Sequence, residues 1–166
     1  MIDKDEHIKE VYAYFGLAMY MAQVLEHGIV NASVYLELLP KTKGKWSPEE
    51  FETYMDTEFE KTLGRLIGKL RTLTAIDDDL ENLLTITLKK RNWLAHHYFR
   101  ERAEEFLSPS GRDSMITELG QCRDLFQTTD RKLDAVITPL MKRLGLTDEI
   151  VEEHLKKMKE RANSDL

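Results

Sequence analysis

The stretch IKEVYAYFGLAMYMAQVLEHGIVNASVYLELL, Ile8–Leu39, decides the fold. Ile8, Phe15, Ala22, Ile29 and Leu36 recur every seven residues, and Val11, Ala18, Leu25, Ala32 and Leu39 form a second series at the same spacing. Residues seven apart lie almost above one another on a helix, so two interleaved apolar series mark a helix with a long buried seam. A strand would alternate instead. The spacing therefore predicts one long helix from about Asp3 to Leu39. Pro40-Lys41-Thr42-Lys43-Gly44-Lys45 reads as a basic turn that ends it.

The rest of the chain repeats the pattern. Ser47-Pro48-Glu49-Glu50 is a capping box with proline at the first helical position, and it opens a second helix. A break is expected in that helix near Asp56-Thr57, followed by a buried stripe of Phe59, Leu63, Leu66, Ile67, Leu70 and Leu73. Gly64 and Gly68 sit four apart, either as a place for close helix approach or as tolerated glycines. Asp77-Asp78-Asp79 puts negative charge at the start of a third helix, which should run to about Phe106. Leu84-Thr85-Ile86-Thr87-Leu88 alternates like a strand, but helical periodicity continues through Leu94 and no partner strand is in sight. Leu107-Ser108-Pro109-Ser110-Gly111 reads as a loop. Leu119, Phe126, Leu133 and Leu140 then mark a fourth helix over about Asp113–Leu144, stopped by Gly145. Thr147-Asp148-Glu149 opens a charged terminal helix over 147–166. The expected fold is all-α: a single domain, 1–166, forming an antiparallel bundle of four to five helices with a long N-terminal helix.

Composition agrees with one soluble domain. The chain has 166 residues, 42% apolar and 33% charged, with four prolines and eight glycines; such a length buries a sizeable core without disulfide or metal. The single cysteine, Cys122, lies on an apolar stripe and reads as a small buried hydrophobe. The opening Met-Ile-Asp-Lys-Asp-Glu lacks a secretory pattern, and no apolar run approaches the roughly 18 residues a membrane span needs, so a cytoplasmic location without membrane association is expected. The net charge of −6 argues against a duplex-DNA binder, which usually presents a basic surface. Any contact with nucleic acid has to be local.

One segment combines residue types that carry chemistry: Arg91-Asn92-Trp93-Leu94-Ala95-His96-His97-Tyr98. On a helical wheel Arg91 falls within roughly 60° of Leu80, Leu84, Leu88, Leu94, Ala95 and Tyr98, in the middle of the apolar stripe. An arginine there needs a partner. Either it pairs with a carboxylate from another helix, with Glu26 in the middle of the first helix as the named choice, or it faces a crevice with His96. In the second case guanidinium would grip a phosphate and imidazole, which titrates near neutrality, would move a proton. Asn92 and His96, four apart, share the adjoining face, and His97 points elsewhere. No glycine-rich phosphate loop, nucleophile elbow, CxxC or metal-ligand spacing accompanies them, so no cofactor is expected.

An arginine followed by a polar residue, with histidine after four intervening residues on a late helix of a small bundle, resembles the HEPN ribonuclease superfamily. Arg91, Asn92 and His96 carry the match, and the tyrosine two residues on, Tyr98, extends it to the HepT-type toxins. The resemblance implies a metal-independent endoribonuclease acting as a homodimer, with RNA as substrate and a toxin–antitoxin or defence setting. Arg91, His96 and Asn92 would be catalytic. A nucleotidyltransferase-type antitoxin would modify Tyr98. The superfamily also includes non-catalytic dimerisation and ligand- or partner-binding modules, which is the alternative reading.

Overall fold

The computed structural model describes residues 4–164, and among these there is no strand. The helices are α1 (Lys4–Ser33), α2 (Leu39–Thr42), α3 (Pro48–Phe59), α4 (Leu63–Leu73), α5 (Asp78–His96), α6 (Tyr98–Glu101), α7 (Ala103–Phe106), α8 (Pro109–Arg143) and α9 (Asp148–Ser164). The second heptad series forms the core side of α1: Val11, Ala18, Leu25 and Ala32 are fully buried. The first series flanks it, with Ala22 and Ile29 buried and Ile8, Phe15 and Leu36 half-buried.

Start signals act where the sequence places them. Ser47 accepts from the Glu50 N–H at 3.1 Å while the Glu50 carboxylate accepts from the Ser47 N–H at 2.6 Å, a complete capping box on α3. The Asp77 side chain accepts from the Leu80 N–H at 2.8 Å and caps α5. Stop signals shift. The first helix does not end at Leu39 but passes through a wide π turn, Val34–Leu38, in which the Leu39 N–H donates to the carbonyl of Val34, five residues back. Pro40 then falls in the first turn of α2, and the chain turns at Lys43 and Gly44, both left-handed with φ of 54° and 72°. The expected break at Asp56-Thr57 is absent; α3 runs on to Phe59, and the chain re-enters helix at Leu63.

The expected loop at Leu107–Gly111 is shorter than its composition implied. Ser108 caps α8 by accepting from the Gly111 N–H at 3.1 Å, so Pro109 to Gly111 are already its first turn. Gly111 has to be glycine: a Cβ there would lie 2.1 Å from the carbonyl oxygen of Glu105 in α7. Gly64 packs against Leu88 at ordinary van der Waals distance, whereas Gly68 faces open space.

Helix α5 runs antiparallel to both long helices. Across α1 it sets Arg91 against Glu26, and α6, which continues its course, sets Tyr98 against Phe15; across α8 Thr87 of α5 meets Thr129 and Tyr98 of α6 meets Met115. The two long helices therefore run parallel to each other, with His7 beside Asp113, Tyr14 beside Gly120 and Gly28 beside Asp130. Two apolar clusters result. One gathers Leu25, Ile29, Leu66, Ile67, Leu70, Leu80, Leu84 and Leu133; the other gathers Val11, Ala18, Leu94, Tyr98, Met115, Leu119, Cys122 and Phe126. Each large side chain buried there contributes roughly 1.5–3 kcal/mol. Polar pairs lie at their junction: Thr87 and Thr129, fully buried and hydrogen-bonded at 2.9 Å, and Arg91 with Glu26. No described helix is long and apolar enough to cross a membrane.

Candidate nucleic-acid interface

Arg91 leaves the apolar stripe of α5 toward α1, where one guanidinium nitrogen lies 3.2 Å from a Glu26 carboxylate oxygen. The N–H is not aimed at that oxygen closely enough for a hydrogen bond, and the oxygen is buried with no other partner, so charge alone holds the contact. Of the two readings of Arg91, the ion pair is thus present. It is not sealed: the Arg91 side chain is 26% exposed and that of Glu26 19%. The other terminal nitrogen donates to the Asn92 side-chain oxygen at 3.3 Å.

Asn92 and His96 are exposed, four residues apart on the solvent side of α5, and His96 is the last residue of the helix. His97 is exposed as well, at a break in the backbone with φ −129° and ψ −23°. Positive residues are frequent in this stretch, although Arg91 pairs with Glu26 and Arg102 with Glu118. Between Lys89 and Arg102 the chain carries five lysine or arginine residues and a single glutamate, against −6 overall. Lys90 stacks its ammonium 4.7 Å from the Trp93 ring, and Ile86, Lys89, Lys90, Trp93, Glu101 and Arg102 line a shallow groove beside this face. The Arg102 guanidinium also lies over that ring, 5.2 Å from its centroid, so cations already cover the indole.

Tyr98, the expected site of modification, is inside. It is 1% exposed, its ring packs edge-on to Trp93 at 5.0 Å, and its hydroxyl donates to the Met115 carbonyl at 3.3 Å. Burial, with the Glu118 carboxylate adding to it, pushes its pKa above the ordinary tyrosine value. As folded, this hydroxyl is not presented to a modifying enzyme. The helical wheel put Tyr98 beside Arg91 because it assumed a continuous helix, but α5 stops at His96 and a new turn starts at Tyr98. The indole N–H of Trp93 donating to Glu101 at 2.7 Å, and the paired bonds of Arg102 to Glu118 at 2.8 Å, fix that corner.

Sequence reasoning missed a second polar constellation. The Lys69 ammonium bonds Glu58 at 2.6 Å and the Tyr54 hydroxyl at 3.1 Å, and it pairs with Glu37, which also accepts from Tyr54 at 2.9 Å and from Lys41 at 2.6 Å. Burial opposes the Glu37 charge, but the hydrogen bonds from Lys41, Lys69 and Tyr54 outweigh it and hold its carboxyl at about 2. Tyr54 is pushed up to about 12, chiefly by burial. Only an isolated glutamate in the apolar run Tyr35-Leu36-Glu37-Leu38 hinted at it. The cluster ties the π turn to α3 and α4, and one Glu58 carboxylate oxygen takes both Lys61 and Lys69 while the other is buried without a partner. Among the described residues, no three His, Cys, Asp or Glu side chains gather as metal ligands. Compared with protein-family models, with curated proteins and with solved structures, the chain matches none.

Proposed function

We propose that the chain is a HEPN-type endoribonuclease that works as a homodimer and cleaves RNA without a metal ion. The observation that carries this reading is the open pair Asn92 and His96 on the solvent side of α5, with a partly exposed Arg91 guanidinium beside them. Two copies facing each other through the end of α5 would set two arginines and two histidines along one RNA strand. The ribose 2′-oxygen attacks the adjacent phosphorus and the 5′-oxygen leaves. His96 takes the proton from the 2′-hydroxyl or returns one to the leaving oxygen. Arg91 stabilises the charge that develops on the phosphorane oxygens, and Asn92 orients phosphate or imidazole. A defence or toxin–antitoxin setting rests on the resemblance alone.

The ion pair between Arg91 and Glu26 favours a second reading, a non-catalytic dimerisation or phosphate-binding module in which Arg91 is structural. Product chemistry separates the two. In EDTA, the ribonuclease should yield fragments ending in a 2′,3′-cyclic phosphate, and a 2′-deoxynucleotide at the cleaved position should block the cut. Cleavage lost on adding chelator would refute the metal-free mechanism. Intact RNA under all conditions would leave the binding module.

A further inference from the structure

Helix α9, Asp148–Ser164, spans 17 residues and buries none of them. It nonetheless carries an apolar seam: Val151, Leu155, Met158 and Ala162 follow one another at spacings of four, three and four, the a/d pattern of a coiled coil. Val151 is 39% exposed, Leu155 49% and Met158 54%. A lone helix of this length is marginal in water, and a bare seam is where a partner supplies the missing stability.

The charges say which partner fits. Asp148, Glu149, Glu152 and Glu153 crowd the first half of α9, while Lys156, Lys157, Lys159 and Arg161 crowd the second, with Glu160 among them. A helix divided in this way is complementary to itself in one orientation only. Parallel pairing stacks acid on acid and base on base; antiparallel pairing sets each acidic half against a basic one.

We propose that α9 is a self-association helix that docks antiparallel on α9 of a second copy of this chain. The seam spacing is symmetric about its own middle. Val151 packs on the partner's Ala162, Leu155 on the partner's Met158, and the same two layers repeat in reverse across the two-fold axis. On one flank Glu152 lies beside the partner's Lys159, twice by symmetry. No ion pair among the described residues engages Glu152 or Lys159, whereas Glu153 is already held by Lys157 at 2.7 Å within the helix. The other flank sets His154 beside the partner's Arg161 and adds no attraction, so the seam and the Glu152–Lys159 flank carry the pairing. This interface uses none of the residues at the end of α5 and does not rest on the ribonuclease reading.

Sedimentation equilibrium of the full chain over roughly 1 µM to 1 mM tests it, since a four-layer helix pair lies at the weak end of specific association. The wild type should show an association step within that range, monomer to dimer, or dimer to tetramer where the α5 faces are already paired. Leu155→Glu with Met158→Glu should abolish that step and leave a bundle that melts unchanged. Glu152→Lys alone and Lys159→Glu alone should each weaken the dimer roughly tenfold, because both symmetric pairs turn repulsive. The two together should restore it, and both residue types are good helix formers, so that rescue reads the interface rather than helix content. A wild type without that association step, a step unmoved by the seam substitutions, or a charge-reversed pair no better than its single members would each overturn the proposal.

Discussion

The Arg91 guanidinium divides its contacts between Glu26 behind it and Asn92 beside it, and the first of these holds it back from any ligand. Glu26→Gln should therefore have two opposite effects. Loss of a partly exposed ion pair should lower the unfolding free energy by about 1 kcal/mol in urea titrations, while the freed arginine should bind RNA more tightly. Weaker RNA binding by this variant would show that Arg91 does not reach the phosphate. Tyr98→Phe leaves the packing in place and removes only the hydroxyl bond to Met115, so it should cost about 1 kcal/mol and leave RNA cleavage unaltered. That an arginine in an apolar stripe must find a carboxylate, and that Glu26 is the one at hand, was legible in the sequence because unpaired buried charge is so unfavourable. The burial of Tyr98 followed from its place on the same stripe, but its edge-on setting against Trp93 did not. It depends on a backbone break at His97 that involves neither glycine nor proline and is fixed from outside, by Trp93–Glu101 and Arg102–Glu118.

Among the elements, the π turn at Val34–Leu38 carries Glu37, which joins Lys69, Tyr54 and Glu58. The folded state holds the Glu37 carboxyl at about 2 against an ordinary value of 4.5. A depressed carboxyl contributes stability above its unfolded value and loses it as pH falls through its folded one. Stability should hence fall as pH drops from 4.5 to about 2, and Glu37→Gln should flatten that part of the stability curve. An unchanged acid limb would remove Glu37 from the account of the π turn. Tyr54, raised to about 12, acts at the other end, where stability declines as pH climbs through that value. The starts of α1, α3, α5 and α9 were readable from heptads and caps, which are local, whereas α8 starts at Pro109, ahead of the expected Asp113. The π turn, the Lys69 cluster and the ends of α1 and α5 were not, because they are decided by side chains brought together from distant parts of the chain.

At the scale of the whole molecule, an acidic bundle with net charge −6 carries five lysines and arginines between Lys89 and Arg102, and its two long helices run parallel because α5 opposes both. The all-α class and the long first helix followed from periodicity. The parallel pairing of α1 and α8 did not, since antiparallel packing of successive helices leaves open which non-successive ones meet. The proposed function turns on His96, which is exposed and packs no core, so its removal separates chemistry from folding. The measurement is cleavage of single-stranded RNA in EDTA by wild type and by His96→Ala at equal concentration, with circular dichroism and melting recorded for both. The expected result is cleavage by the wild type and a loss on the order of 100-fold or more in a variant that melts as the wild type does. A His96→Ala protein that still cleaves at the wild-type rate, or a folded wild type that leaves RNA intact, would contradict the proposed activity.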